Sequence, residues 1–335
     1  MTTMSKNHNA VRVTNWKAGA IVLAIIFIGI FVPNVVKSTF YLSLFINSIV
    51  LGIAAVSIGF LAHQCGLIMF GAAGFTGGAT YLFGIAVMHF KWDVTTAAVF
   101  CLMASTLICL LIGAIVVRAR PLPFAMMTLA LAQMLRSVVR ITAYRDVTGG
   151  DDGLTMSWNG TFLGLTQSEL ARPANFWVIA WLSLCTVMLM AWWVGQSQTG
   201  EILRATKANE ERMRFSGFNT YIPRVLAFAL SGFIAAVSGL LMGLHTAFAS
   251  PELLDFATGA NSLVSMLIGG AGAVSGPVLG ALLYTVGQDQ FGASGHLELL
   301  TGLGVVVVVV AFPSGAIGFL QSGFRRITRR QDAAN

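Results

Sequence analysis

The sequence predicts an all-α fold, a polytopic transmembrane helix bundle of about eight to ten spans with both termini in the cytoplasm. Three observations predict it: too little charge for a water-facing surface, apolar runs of membrane-spanning length, and a one-sided distribution of Lys and Arg. Of the 335 residues, 56% are hydrophobic and 10% charged, with a mean hydropathy of +0.79. Soluble domains carry about 25% charged residues, so a water-soluble enzyme with an unusually apolar core is excluded. The net charge of +7 is spread around the apolar runs rather than gathered in a patch, which excludes nucleic acid as a partner and leaves membrane lipid.

A span requires roughly 20 apolar residues, and runs near that length fall at 18–36, 40–62, 67–88, 94–117, 122–141, 175–195, 225–248, 257–270, 276–291 and 298–312. The first follows Lys6, Arg12 and Lys17 as a signal peptide would, but it is too long and lacks a small-x-small cleavage site, so it reads as a retained span. The stretches 257–270 and 276–291 are short and glycine-broken, either two short spans or a re-entrant pair. The domain plan is a cytoplasmic tail at 1–17, one transmembrane domain at 18–320, and a basic cytoplasmic tail at 321–335. Counted from a cytoplasmic N-terminus, inner segments hold 14 Lys and Arg residues and outer segments hold four. Cytoplasmic enrichment of these residues is what sets orientation.

Two hydrophilic segments interrupt the apolar pattern: an outer loop at 142–174 and an inner loop at 196–224. The inner loop predicts one helix from Glu201 to Ser216, with Thr199 as N-cap and Gly217 as the left-handed C-terminal cap. Glu210 with Arg214, and Lys207 with Glu211, stand four apart and support it. Such a helix is either a solvated connection or a rigid docking element. In the outer loop, Gly149, Gly150, Asp151 and Asp152 lie in a turn-rich TGGDDGL stretch whose acids lack the spacing of a calcium loop.

Gly71, Gly74 and Phe75 belong to a glycine-rich stretch, GLIMFGAAGFTGGATY at 66–81. Small residues let helices approach closely in lipid; a broken helix lining a solute path is the other reading. Gln133, Arg136 and Arg140 share one helical face. An arginine at that depth needs water or a partner, and Asp146, Asp151 or Asp152 would serve. The sharper reading has Arg136 meeting an anionic group of a solute. The cysteines Cys65, Cys101, Cys109 and Cys185 show no CxxC spacing, so no metal site is expected, and the chain has no phosphate-binding GxxxxGK[ST] loop.

Several blocks in order resemble the branched-chain amino acid importer permeases of the second, M-type subunit. They are FAMMTLALAQM at 124–134, TGGDDGL at 148–154, Arg204-Ala205 with Asn209-Glu210 and Gly217, LAF at 226–228 with Ser231, and Ser250-Pro251. IGGAG at 268–272, GPVLGA at 276–281 and FPSG at 312–315 continue the series. Glu211-Arg212-Met213 followed by Gly217 resembles, in degenerate form, the Glu-Ala-Ala…Gly loop of ATP-binding-cassette import permeases. The sequence departs from the family pattern at Leu67, Met69 and Ala72, where glutamine, serine and histidine are usual.

The resemblance implies a non-enzymatic permease subunit in the bacterial cytoplasmic (inner) membrane, which moves a branched-chain or other hydrophobic amino acid by alternating access. It implies four kinds of partner: a second, homologous permease, two ATP-binding-cassette ATPases, an extracytoplasmic solute-binding protein, and lipid. ATP and Mg would bind the ATPases, with no cofactor on this chain. Glu201, Arg204, Asn209, Glu210, Glu211 and Gly217 become the ATPase-coupling loop. Gly71, Gly74, Phe75, Gln133 and Arg136 become the candidate substrate path, and Gly149 to Asp152 an outer-face contact. Similar systems carry urea, short amides or aromatic acids. A self-sufficient secondary transporter or channel is the rival class, but only Asp289 and Glu298 offer acids near the membrane for ion coupling.

Overall fold

The computed structural model describes residues 29–33, 36, 38–158, 160–270, 272, 274–292 and 302. The two tails, most of the 18–36 run and nearly all of the 298–312 run lie outside the described residues. Among the described residues, eight apolar helices of 14 residues or more form the bundle. They are α1 (Thr39–Cys65), α2 (Ala72–Met88), α3 (Val94–Val116), α4 (Pro121–Val139), α5 (Pro173–Gln196), α8 (Tyr221–Thr246), α9 (Phe256–Gly269) and α10 (Gly276–Gly292). Two polar helices, α6 (Gln198–Ala208) and α7 (Glu210–Phe215), lie between α5 and α8. Five of these helices, α1, α3, α4, α5 and α8, are long and apolar enough to cross a membrane.

Two helices form the centre. Every residue of α1 from Gly52 to Leu61 is buried, on all faces of the helix, and α8 packs beside it while also contacting α2 and α3. Between them, hydroxyls reach across to backbone carbonyls. Ser231 Oγ donates to the Ser57 oxygen at 2.8 Å and Ser238 Oγ to the Val50 oxygen at 2.7 Å. From α2, Thr80 Oγ1 donates to the Gly239 oxygen at 2.8 Å. Lipid tails offer polar groups no alternative partners, so such bonds and close packing hold helices together there, at about 1 kcal/mol each.

The peripheral helices present apolar side chains outward. On α3, Met103, Leu107, Leu111 and Ile115 form an exposed stripe spaced by four, and Trp192 and Trp193 project from the end of α5. In water this would be a large aggregation-prone surface; it suits contact with lipid or with another membrane helix.

The 66–81 stretch departs from the expected span at 67–88. Gly66 ends α1 in the left-handed conformation (φ 70°), residues 67–71 are not a regular helix, and α2 starts at Ala72. The short pair α9 and α10 pack against each other and on α1, with Gly269, Gly276 and Gly280 at backbone-to-backbone contacts a Cβ would overlap. Fourteen residues at 1.5 Å per residue make α9 about 21 Å long, short of the ~30 Å hydrocarbon core.

The outer loop is tied to the far end of α8 by a two-stranded antiparallel ribbon, β1 (Leu154–Thr155) with β2 (Phe248–Ala249), registered Leu154 to Ala249. A capping box at Thr166 and Glu169 starts a short turn there. The Thr166 amide and hydroxyl, both donating to the Glu169 carboxylate, hold its pKa below the usual value.

Candidate functional site

Three regions carry the candidate residues: the polar loop between α5 and α8, the glycine-rich start of α2 with α4, and a cavity between the central helices.

The loop forms two helices where the sequence suggested one. Ser197, not Thr199, caps α6, its hydroxyl accepting from the Gly200 amide. At Asn209 the backbone turns extended (φ −159°, ψ 100°), and the Asn209 side chain accepts from the Arg212 amide to start α7. Asn209 is thus both the break and the second cap, a role for which asparagine is well suited. The break also removes the helical neighbourhood that would have paired Lys207 with Glu211. Gly217 (φ 83°) ends α7 as expected, with the Gly217 and Phe218 amides donating to the Arg214 and Met213 carbonyls.

One face of this loop is bolted to the bundle. Lys207 Nζ donates to the Ala62 and His63 carbonyls at 2.9 and 3.1 Å, capping the C-terminal end of α1 with a positive charge. Arg204 donates to Gln64 Oε1 at 3.2 Å and to the Gly195 carbonyl at 2.5 Å, linking α1, α5 and α6. Glu210 bridges Arg214 and Arg224, each at 2.8 Å, and so joins α7 to the first turn of α8. Glu201, Glu211 and Arg212 are exposed, as is Phe215 at 91%.

The glycines of α2 serve close packing. A Cβ at Gly71 would overlap the Thr128 carbonyl of α4, and one at Gly74 would press on Ala132. Phe75 packs edge-on against Phe228 of α8, ring centroids 5.6 Å apart. Leu67, Met69 and Ala72, the positions where polar residues are usual, are all buried. Arg136 pairs with Asp255 at 3.2 Å, and not with Asp146, Asp151 or Asp152 as the sequence suggested. Those outer-loop acids lie beyond the end of α4, where Asp151 pairs with Arg140 and Asp152 with Arg145 (2.6 Å). Gly149, Gly150 and Gly153 all have positive φ, which explains the glycines of TGGDDGL as backbone requirements. Thr148 Oγ1 fastens this turn to the Val139 carbonyl at the end of α4. Among the described residues, no group of three His, Cys, Asp or Glu side chains is placed to hold a metal.

The cavity was not singled out by the sequence. About 340 Å³ in volume, it lies between α1, α2, α8, α9 and α10, and its polar lining includes Asn47, Thr76, Asn261, Ser262, Tyr284 and Gln288. Gly71, Gly74, Phe75, Gln133 and Arg136 are absent from the described lining, which draws on Gly77 and Thr80 of the same α2 helix instead. Its residues come almost entirely from five helices spread over some 240 positions of chain, each contributing one to three polar side chains to an apolar run. Only the α9 pair Asn261-Ser262 and the Tyr284, Thr285, Gln288 spacing on α10 mark it locally.

The family model for the branched-chain amino acid transport system permease component matches residues 40–312. The chain belongs to this permease family. Among curated relatives, the high-affinity branched-chain amino acid transport system permease protein LivM of Escherichia coli (strain K12) is 22% identical over 286 residues, covering 79% of this chain and 67% of the relative. LivH of Salmonella typhimurium (strain LT2), from a system of the same description, is 22% identical over 209 residues, or 59% of this chain and 67% of the relative. The autoinducer 2 import system permease protein LsrC of Escherichia coli O9:H4 (strain HS) is 31% identical over 144 residues, or 40% and 42%. No solved structure matches the chain. With its apolar helices, family membership makes this an integral membrane protein and a transport component.

Proposed function

We propose that this permease is one membrane-spanning subunit of an ATP-binding-cassette importer. It pairs with a second, homologous permease, is driven by two ATPases that bind ATP and Mg, and receives its solute from an extracytoplasmic binding protein. In the bacterial inner membrane both termini and the 196–224 loop face the cytoplasm, and the 142–174 loop faces outward. The names of LivM and LivH put branched-chain amino acids first as cargo, to which we add other hydrophobic amino acids, with urea, short amides and aromatic acids as the alternative.

The observation that carries this reading is the two-faced loop. Its outer face offers Glu211, Arg212 and Phe215 to a partner, while Arg204 and Lys207 fasten its inner face to α1. A displacement of α6 therefore pulls directly on the helix buried at the centre of the bundle and lining the cavity. A differential interaction of this kind, made by the ATPases in one nucleotide state and not the other, is what biases a two-state bundle. A secondary transporter or channel has no use for such a lever.

Reconstitution tests it. Proteoliposomes holding both permeases and the ATPases, with binding protein and solute outside, should accumulate solute only when ATP is supplied to the ATPase side. Uptake by this chain alone, without ATPases, would overturn the reading in favour of a self-sufficient carrier.

A further inference from the structure

The cavity between the central helices has a feature that family membership does not supply: among the described residues its lining is wholly uncharged, with polar side chains set among apolar ones such as Val50, Leu51, Met242 and Leu253. Its side chains include Asn47, Thr76, Asn261, Ser262, Tyr284 and Gln288, with no Asp, Glu, Lys, Arg or His. We propose that this cavity is the solute site of the permease and that it selects an uncharged solute carrying hydrogen-bond donors and acceptors, of amide or polyol type, over carboxylates and zwitterionic amino acids. The proposal rests on the importer reading above and, within its cargo classes, favours the neutral amides over the amino acids that the relatives' names put first.

The argument starts from the hydrogen bonds the lining already makes. Gln288 Nε2 donates to Tyr284 Oη at 2.9 Å, and Tyr284 Oη donates to Asn261 Oδ1 at 2.7 Å. This relay leaves the Asn261 amide N–H groups and the Gln288 carbonyl for another partner. The side chains of Asn47 and Ser262 make no hydrogen bond among the described residues. A neutral solute with both donors and acceptors complements such groups. A volume of about 340 Å³ is at the small end of ligand pockets, which run from ~300 Å³.

A charged solute finds no complement there. A net charge taken to membrane depth needs a counter-charge, and a zwitterion needs two. The substitute for a counter-charge in membrane sites is the N-terminus of a broken helix, whose partial positive charge receives a carboxylate. Here that end of α9 is already occupied: Asp255 accepts from the Phe256 amide at 2.7 Å and pairs with Arg136 at 3.2 Å. Arg136 is spent on Asp255, and both stand outside the lining, so neither offers a carboxylate a counter-charge. Asp289, next to Gln288, is exposed and outside the lining as well.

Charge selectivity can be read without partners or a known cargo. In a full-length chain with the four native cysteines replaced by alanine and held in lipid nanodiscs, Thr285→Cys places a thiol in the cavity; Thr258→Cys is the second reporter if the first does not fold. Labelling by an uncharged methanethiosulfonate should be at least about tenfold faster than by its sulfonate-bearing analogue, a factor worth 1.4 kcal/mol. Propionamide and glycerol at millimolar concentration should slow labelling about threefold or more, where propionate and leucine do not. Equal labelling by the two reagents, protection by leucine or propionate as strong as by propionamide, or no protection by either neutral solute would each overturn the proposal. The assay contains no ATPase, so these outcomes are independent of the ATP-dependence that decides the importer reading.

Discussion

At Gly239 the backbone of α8 meets α2 so closely that a Cβ would overlap the Thr76 carbonyl; the Gly239 carbonyl itself accepts the Thr80 cross-bond, and the adjacent Ser238 makes the one to Val50. Gly239→Ala should therefore push α2 and α8 apart and cost about 1–3 kcal/mol, the usual penalty for overpacking. Thermal unfolding of the detergent-solubilised protein would show it as a lowered Tm. Gly287→Ala is the matched control. Nothing lies within 4 Å of a Cβ at that position of α10, so the change should leave Tm unchanged or raise it through helix propensity worth up to ~1 kcal/mol. The Arg136–Asp255 pair gives a second residue-scale test. Arg136→Gln or Asp255→Asn alone leaves a half-buried charge unmatched and should cost roughly 1–3 kcal/mol. The double variant should recover most of that loss in a melting double-mutant cycle. If Arg136→Gln alone leaves stability unchanged, the pair contributes nothing to stability.

Elements differ in how far their ends were legible. The apolar runs marked α1, α3, α4, α5 and α8 because lipid-facing and core-facing helices alike must be apolar, and that requirement is written in composition. The start of α2 was hidden, since residues 67–71 are as apolar as the helix they precede and only the left-handed Gly66 separates them from α1. The 196–224 loop was read as one helix because Asn209 breaks it by a side-chain cap, and helix formers stand on both sides. Pairings over long separations were illegible in principle: Lys207 with the end of α1, and Arg136 with Asp255. The first of these makes an element-scale prediction. Lys207→Ala and Arg204→Ala together should detach α6 from α1 without removing the exposed face of α7. In the reconstituted importer, ATP hydrolysis should then persist while uptake per ATP falls by about tenfold. Equal loss of both activities would mean the clamp supports folding or docking rather than transmission.

At the scale of the whole molecule, the bundle has two ends of opposite character, and chain direction fixes which elements share each end. The 196–224 loop, the start of α8 and the end of α1 make one; the ribbon of β1 with β2, the Arg140–Asp151 pair and the far end of α8 make the other. Where α1 and α8 line the cavity, they do so with the N-terminal half of α1 and the C-terminal half of α8, which places it toward the ribbon end. If the cavity is entered from that end, the arrangement corresponds, in the proposed importer, to an outward-facing one. The exposed stripe of α3 lies outside the cavity-lining helices, so lipid or a second permease can cover it without closing this route. The excess of Lys and Arg at the loop end orients the whole: that end should be cytoplasmic. In a cysteine-free background, Phe215→Cys should react with an impermeant maleimide in inverted vesicles and not in intact spheroplasts, because its side chain is 91% exposed at the loop end. Ser157→Cys, exposed beside the ribbon, should show the reverse. The two reporters must label from opposite sides, since α8 and α5 carry the chain from one end to the other. Labelling of Phe215→Cys from outside would invert the molecule, put the coupling loop beyond reach of cytoplasmic ATPases, and end the importer reading with it.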